Sequence, residues 1–227
     1  MNIINVFFKP ANVYSQTKAQ PSWGQSFIIL SFVSIIIAFF TIPINTQITN
    51  NLMSTVGGTA SKQELIQSTM DKVKYWSLLS EPINLTIRIL IFSALAYIGS
   101  IIIKRGSNFK QVFALCTHAF VIIILSKIAN LCMLYIKGIE NIKTVFDMSA
   151  IGLNIFSDKS VNFLNVFLSG INIFEIWFIW ILVSGISYIL EIKKSKSAII
   201  VISTWLIIQL FSTFSLLMSN AMYTHMH

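Results

Sequence analysis

Charge is what this sequence has least of. Asp, Glu, Lys and Arg make up 11% of its 227 residues, where a soluble domain carries roughly 25%. So few charges cannot coat a water-soluble globule. Cysteine is almost missing too, with only Cys116 and Cys132. Both fall in one apolar segment, where the intervening helix would set them about 24 Å apart. That is too far for a disulfide, so they read as buried small hydrophobes. There is no HExxH, no phosphate-binding glycine loop and no Gly-x-Ser-x-Gly. With no nucleophile–base arrangement, the chain is expected not to be an enzyme. It also lacks a fixed-period repeat and a low-complexity tract. Met1 to Phe8 is apolar but too short for a signal-peptide core and has no basic leader, so no cleavage is expected.

Apolar residues fill the space that charge leaves. They make up 55% of the chain, and the mean hydropathy is +0.76. They gather at about 26–44, 83–103, 111–136, 164–190 and 198–219, each near or above the ~20 residues that a helix needs to cross hydrocarbon. Runs such as Ile28–Phe40 and Ala198–Phe211 are apolar on every face, whereas a barrel strand would alternate and stop after about ten residues. The expected fold is an all-α membrane protein, a bundle of five transmembrane helices with short interfacial helices. Residues 26–219 form the transmembrane domain, and residues 1–25 a cytoplasmic amphipathic N-terminal segment.

Two connections carry further signals. The first span is expected to end near Pro43 and to open into a polar stretch with a turn at Gly57-Gly58. There Ser61-Lys62-Gln63-Glu64 forms a capping-box pattern, followed by Leu65, Ile66, Met70, Val73 and Trp76 on one side of a helical wheel. Residues 61–79 read either as a helix lying along the interface or as a solvated helix packed on the spans. Glu81-Pro82 then starts the second span. Phe7, Phe8, Trp23 and Trp76 are placed as interface anchors, with ordinary aromatic-belt anchoring as their plainest use.

The net charge of +8 is topogenic in position rather than a nucleic-acid signal; no nucleic-acid partner is expected. Lys9 and Lys18, then Lys104, Arg105 and Lys110, then Lys193, Lys194 and Lys196 against Glu191 form basic turns. The alternate connections mix signs: Lys62, Lys72 and Lys74 with Glu64, Asp71 and Glu81, and Lys137, Lys143 and Lys159 with Glu140, Asp147 and Asp158. Basic density therefore alternates at every crossing. It predicts a cytoplasmic amino terminus and a carboxyl terminus on the far side.

Arg88, Lys127 and Glu175 remain inside apolar segments, where a lone charge costs about 2.5–3.5 kcal/mol on insertion scales. Lys127 and Glu175 come to similar depth, so a pair between them is geometrically possible, with Arg88 near enough to join. Asn162, Asn165, Ser169, Asn172 and Glu175 recur every three or four residues, one helical stripe, and Lys127 and Asn130 share a face. Together they predict a polar seam between the third and fourth spans in the outer half of the membrane. Its two readings are interhelical hydrogen-bond glue and a path for an ion, proton or headgroup. Arg88 could also snorkel outward. His118 follows Cys116 on a different helical face and reads as a satisfied lone histidine, and His225 and His227 as a loose end. No cofactor and no metal are expected. Ala96 and Ser100 form a small-xxx-small pair for a neighbouring helix of the same chain or of a second copy.

At its ends the chain resembles a known family. Phe7-Phe8-Lys9-Pro10-Ala11-Asn12-Val13-Tyr14, followed by Ser22-Trp23-Gly24, is similar to the start of the Yip domain, the Ypt/Rab-interacting-protein-like membrane family. Asn172-Ile173-Phe174-Glu175-Ile176-Trp177, then Gly185, then Lys193-Lys194-Ser195-Lys196-Ser197-Ala198 continue the likeness. Within it Pro10, Phe174, Trp177 and Gly185 are the family-like positions. The resemblance implies five spans, the same orientation and no known catalysis; eukaryotic relatives are linked to Rab GTPases and vesicle traffic. Lys127 and Glu175 lie outside that pattern. The cytoplasmic segment leaves little room for a folded partner-binding region, so a bacterial inner-membrane member is expected. The leading functional expectation is a membrane organiser or adaptor acting on lipids, a membrane-protein partner or a second copy. The alternative is a small transporter or channel component. A solvent-connected cavity reaching Lys127 or Glu175 would favour the transporter, and a dry bundle with paired polar groups the adaptor.

Overall fold

The computed structural model describes the backbone of residues 5–56, 60–103, 108–142, 145–157 and 162–225. Their side chains are described too, apart from those of 52–56, 60–75, 77, 145–146 and 219–225. Gly57-Gly58, Lys104, Arg105, Lys143, Asp158, Lys159, His227 and the side chains of the 61–73 stripe therefore lie outside the described residues.

Among the described residues eight α-helices follow one another: α1 Asn5–Phe8, α2 Pro10–Ala19, α3 Gly24–Val56, α4 Ala60–Ile103, α5 Phe109–Lys137, α6 Phe163–Ser169, α7 Ile173–Leu190 and α8 Lys194–His225. Three short 3-10 turns join α5 to α6. No strand occurs among the described residues. Five of the helices are long and apolar enough to cross a membrane, over Gly24–Asn51, Leu78–Ile103, Phe109–Lys137, Ile173–Leu190 and Lys194–Met218. This is an all-α membrane bundle.

The apolar residues divide between inside and outside. Phe92, Phe120 and Phe178 meet edge-on at the centre, with ring centroids 5.2–6.3 Å apart. Such contacts add roughly 0.5–1.5 kcal/mol each beyond burial. Ile28, Phe32, Ile87, Ile102, Ile176 and Phe211 point outward, where lipid replaces the water that would penalise them. Ala96 and Ser100 are both fully buried within the single chain. Beside them, a Cβ on Gly99 would meet Ile200 Cγ2 at 3.1 Å. Cys116 is buried as expected, but Cys132 is exposed on the outer face of α5.

Neither inner proline ends a helix. Pro43 lies inside α3 and Pro82 inside α4. Each removes one backbone bond, and in lipid a freed carbonyl needs a new donor. The carbonyls so freed are those of Phe39 and Leu78, four residues earlier; next to the first, Phe40 O accepts from Tyr135 Oη at 2.7 Å and ties α3 to α5. Beside Pro82, Thr86 Oγ1 donates to Pro82 O at 2.6 Å. The backbone over 61–79 is continuous with the second span rather than a separate helix. Trp76 is 69% exposed on it.

The fourth span departs most from expectation. In place of one helix over 164–190, α6 ends at Ser169 and α7 begins at Ile173. Two asparagines start the two pieces. Asn162 Oδ1 accepts from Asn165 N at 2.8 Å, and Asn172 Oδ1 accepts from Phe174 N and Glu175 N at 2.9 and 3.1 Å. Asparagine is a preferred N-cap, so here it stops the chain from being a single rod.

The N-terminal segment is a strap. Val6, Val13, Tyr14 and Thr17 form its buried stripe against α5 and α7. Phe7 packs on Trp177 with ring centroids 5.5 Å apart, Tyr14 Oη donates to Ile181 O at 3.0 Å, and Lys18 pairs with Glu191. Trp177 and Glu191 are about 21 Å apart along the helix, so the strap runs beside most of α7. Buried Gly185 permits the approach: a Cβ there would lie 2.6 Å from Leu115 Cδ1 and 3.0 Å from Tyr14 Cε1. Pro10 occupies the first turn of α2, where its missing N–H costs nothing. Phe174 packs against the main core. Of the remaining aromatic anchors, Phe8 points outward, while Trp23 is partly exposed and meets Phe113 edge-on at 5.2 Å.

Candidate functional site

Lys18, Lys110, Lys193 and Lys194 mark one end of the bundle, the basic end, held together by Gln111 Nε2 donating to Lys18 O at 2.8 Å and by the Lys18–Glu191 pair. In the opposite half the helices enclose a cavity of about 520 Å³, within the range of roughly 300–1,000 Å³ usual for ligand sites. From α3 it takes Ile37, Ala38, Thr41 and Asn45; from α4, Glu81 and Arg88. Ser126, Lys127 and Asn130 of α5 face it, as do Ser169 of α6, Asn172 and Glu175 of α7 and Leu216 of α8.

Continuity of α4 explains two of these residues. Glu81 and Arg88 stand seven residues apart, two helical turns, and so share a face. Lys127 Nζ donates to Glu81 Oε2 at 3.2 Å. The Lys127–Glu175 pair that their similar depth allowed is therefore not formed. Glu175 Oε2 instead accepts from Trp205 Nε1 at 3.1 Å. Depth alone brings Lys127 and Glu175 level; it says nothing about which way each points around its helix. Arg88 is exposed and has no ion-pair or hydrogen-bond partner among the described residues.

The break between α6 and α7 is stitched to the connection after α5. Leu153 N donates to Ile171 O at 2.9 Å, Ser149 Oγ to Ser169 O at 2.9 Å, and Gln209 Nε2 to Phe167 O at 3.0 Å. Side chains and loop backbone thus supply what the interrupted helix lacks. Gly152 makes the fit possible, since a Cβ there would sit 2.4 Å from Ser169 O. Asn130 clamps the same connection from α5: its Nδ2 donates to Met148 O at 2.7 Å and its Oδ1 accepts from Ala150 N at 2.8 Å. Met148, Ser149 and Ile151 then form one wall of the cavity.

Asn130→Ala should release that wall. Two hydrogen bonds of about 1 kcal/mol each are lost, and amide exchange of residues 148–150 should rise at least tenfold. Unchanged exchange there would show that the clamp is incidental.

Of the residues expected in a seam, Arg88, Lys127, Asn130, Ser169, Asn172 and Glu175 line the cavity. Asn165 is buried but is not among the lining residues. The lining draws on all five spans rather than on the third and fourth alone. Glu81 completes the charged part and Trp205 holds Glu175 from behind it; neither stands out from hydropathy. No group of three His, Cys, Asp or Glu side chains that could hold a metal occurs among the described residues. His118 is buried, with Nε2 2.9 Å from Ser22 O.

The strap, the broken fourth span and the basic-end turn are the parts that carried the family-like residues. The Yip1 domain matches residues 4–216, from the strap to the last span. The chain belongs to the Yip1 domain family. Within this Yip1 domain, Pro10, Phe174, Trp177 and Gly185 all sit where the strap or α7 meets the core, outside the cavity lining. No curated protein and no solved structure is significantly similar to the chain.

Proposed function

We propose that this Yip1-domain protein acts without catalysis by admitting a polar ligand into the cavity opposite its basic end, as a carrier or channel component would. The broken fourth span carries the reading: a half-helix starts at Asn172 on a cavity holding Glu81, Arg88, Lys127 and Glu175. Irregular backbone at membrane depth is tolerated where it is buried in protein or lines a wet cavity, and interrupted helices are a recurrent pointer to transporter binding sites. A closed adaptor would need none of these groups in an open space. The organiser reading keeps the outward-facing Phe8 and Trp76, whose partners would be lipid or another membrane protein. By the positive-inside rule the basic end belongs in the cytoplasm. That puts the cavity in the far half, in what we take to be a bacterial inner membrane.

The test is solvent access. In a protein with Cys116 and Cys132 replaced by alanine, Ser126→Cys should react with a small water-soluble methanethiosulfonate at least tenfold faster than Ala119→Cys in the core. Equal, slow labelling at both positions would mean a dry bundle and would return the choice to the adaptor.

A further inference from the structure

We infer that the cavity receives the headgroup of a zwitterionic phospholipid, a phosphate carrying a primary ammonium, which enters sideways from the bilayer past Arg88. The inference rests on the ligand-binding reading above and names the ligand class. Arg88 stands on a boundary of α4. Asn84, Ile87 and Ile91 beside it are exposed, Leu85, Ile89 and Phe92 are buried, and Arg88 itself is both exposed and part of the cavity lining. The cavity therefore has a cation on its lipid-facing edge.

The depth is telling. Arg88 lies about 22 Å along α4 from Ile103, at 1.5 Å per residue. In a hydrocarbon layer about 30 Å thick, that leaves it roughly 8 Å inside the far boundary. A guanidinium facing tails at that depth is costly unless it draws phosphate and water inward. Phosphate is the group that its planar fork binds best.

Charge balance selects among headgroups. Arg88 and Lys127 face Glu81 and Glu175 across one cavity, so its formal charge is zero. Lys127 already compensates Glu81, so a ligand bearing only negative charge on Arg88 would leave Glu175 without a cation. A phosphate on Arg88 with its ammonium toward Glu175 satisfies both signs. The Trp205 bond engages Glu175 Oε2 only.

The experiment uses the full chain in detergent and native mass spectrometry, with three probes: phosphatidylethanolamine, phosphatidylglycerol and soluble glycerophosphoethanolamine. Phosphatidylethanolamine should bind at least tenfold more tightly than phosphatidylglycerol. Arg88→Gln should weaken phosphatidylethanolamine binding at least tenfold, and Ser126→Trp, which fills the cavity, should abolish the preference and checks the result against misfolding at either position. Binding of the soluble headgroup alone would overturn lateral lipid entry and leave the polar-ligand reading standing. Binding of both lipids equally, unaffected by either variant, would mean annular lipid and would also overturn the inference. No binding of any probe, with Ser126→Cys still labelled from water, would reject the headgroup but not the cavity.

Discussion

Lys127→Glu should destabilise the bundle by about 2–3 kcal/mol, and adding Glu81→Lys should recover most of the loss. In the native chain Nζ and Oε2 are 3.2 Å apart, with the two side chains 31% and 28% exposed. Breaking a fully buried pair costs about 3–5 kcal/mol, because one charge is left without compensation. The remaining exposure argues for the lower part of that range. Reversal at Lys127 does more than remove a partner: it sets three carboxylates around one cavity, at residues 81, 127 and 175. Swapping both members restores opposite signs at the same positions. Reversible unfolding in mixed micelles measures the effect. A double variant no more stable than Lys127→Glu alone would show that the pair is a crossing of two long side chains, without consequence.

Gly185→Leu should lift the strap off the bundle. A Cβ at that position already intrudes on Leu115 and Tyr14, and a full side chain has no route around α5. Overpacking of this kind costs typically 1–3 kcal/mol. Displacing the ring also forfeits the Tyr14 bond to Ile181 O, worth about 1 kcal/mol. Each 1.4 kcal/mol is tenfold in an equilibrium, so cleavage by trypsin after Lys18 should accelerate between ten- and a thousandfold. Tyr14→Phe, which keeps the ring, should produce the smaller part of that change. If Gly185→Leu left the cleavage rate unaltered, the strap would be held from elsewhere.

These two sites differ in how far they can be read from residues alone. The spans were legible because hydrocarbon thickness imposes a length and an apolar run, and Ile28–Phe40 satisfies both on every face. The break in the fourth span was not, because hydropathy sums side chains and the interruption is made by backbone. Its signal was present: Gly170 and Asn172 flank the gap, one a poor helix former and the other a cap. Pro43 and Pro82 misled in the opposite sense. In water a proline ends a helix cheaply, whereas in lipid every abandoned backbone group needs a donor, so α3 and α4 continue. Spacing could set Lys127 level with Glu175 but could not tell that Glu81, on the far edge of a proline-bearing turn, lies nearer. The family-like glycine was legible as a pattern; its meaning, room for the Tyr14 ring, is a tertiary fact.

The strap also constrains how the protein is made. Tyr14 bonds a carbonyl 167 positions later, and Lys18 a carboxylate 173 positions later. At about 5–20 residues per second, translation takes roughly 10–30 s to produce that partner helix. Throughout that interval Val6, Val13 and Tyr14 have no groove to enter, and a helix with one apolar stripe settles on the bilayer surface. The strap thus serves first as a float on the membrane and is locked in place only once α7 is made. Assembly of the finished bundle waits on the ribosome.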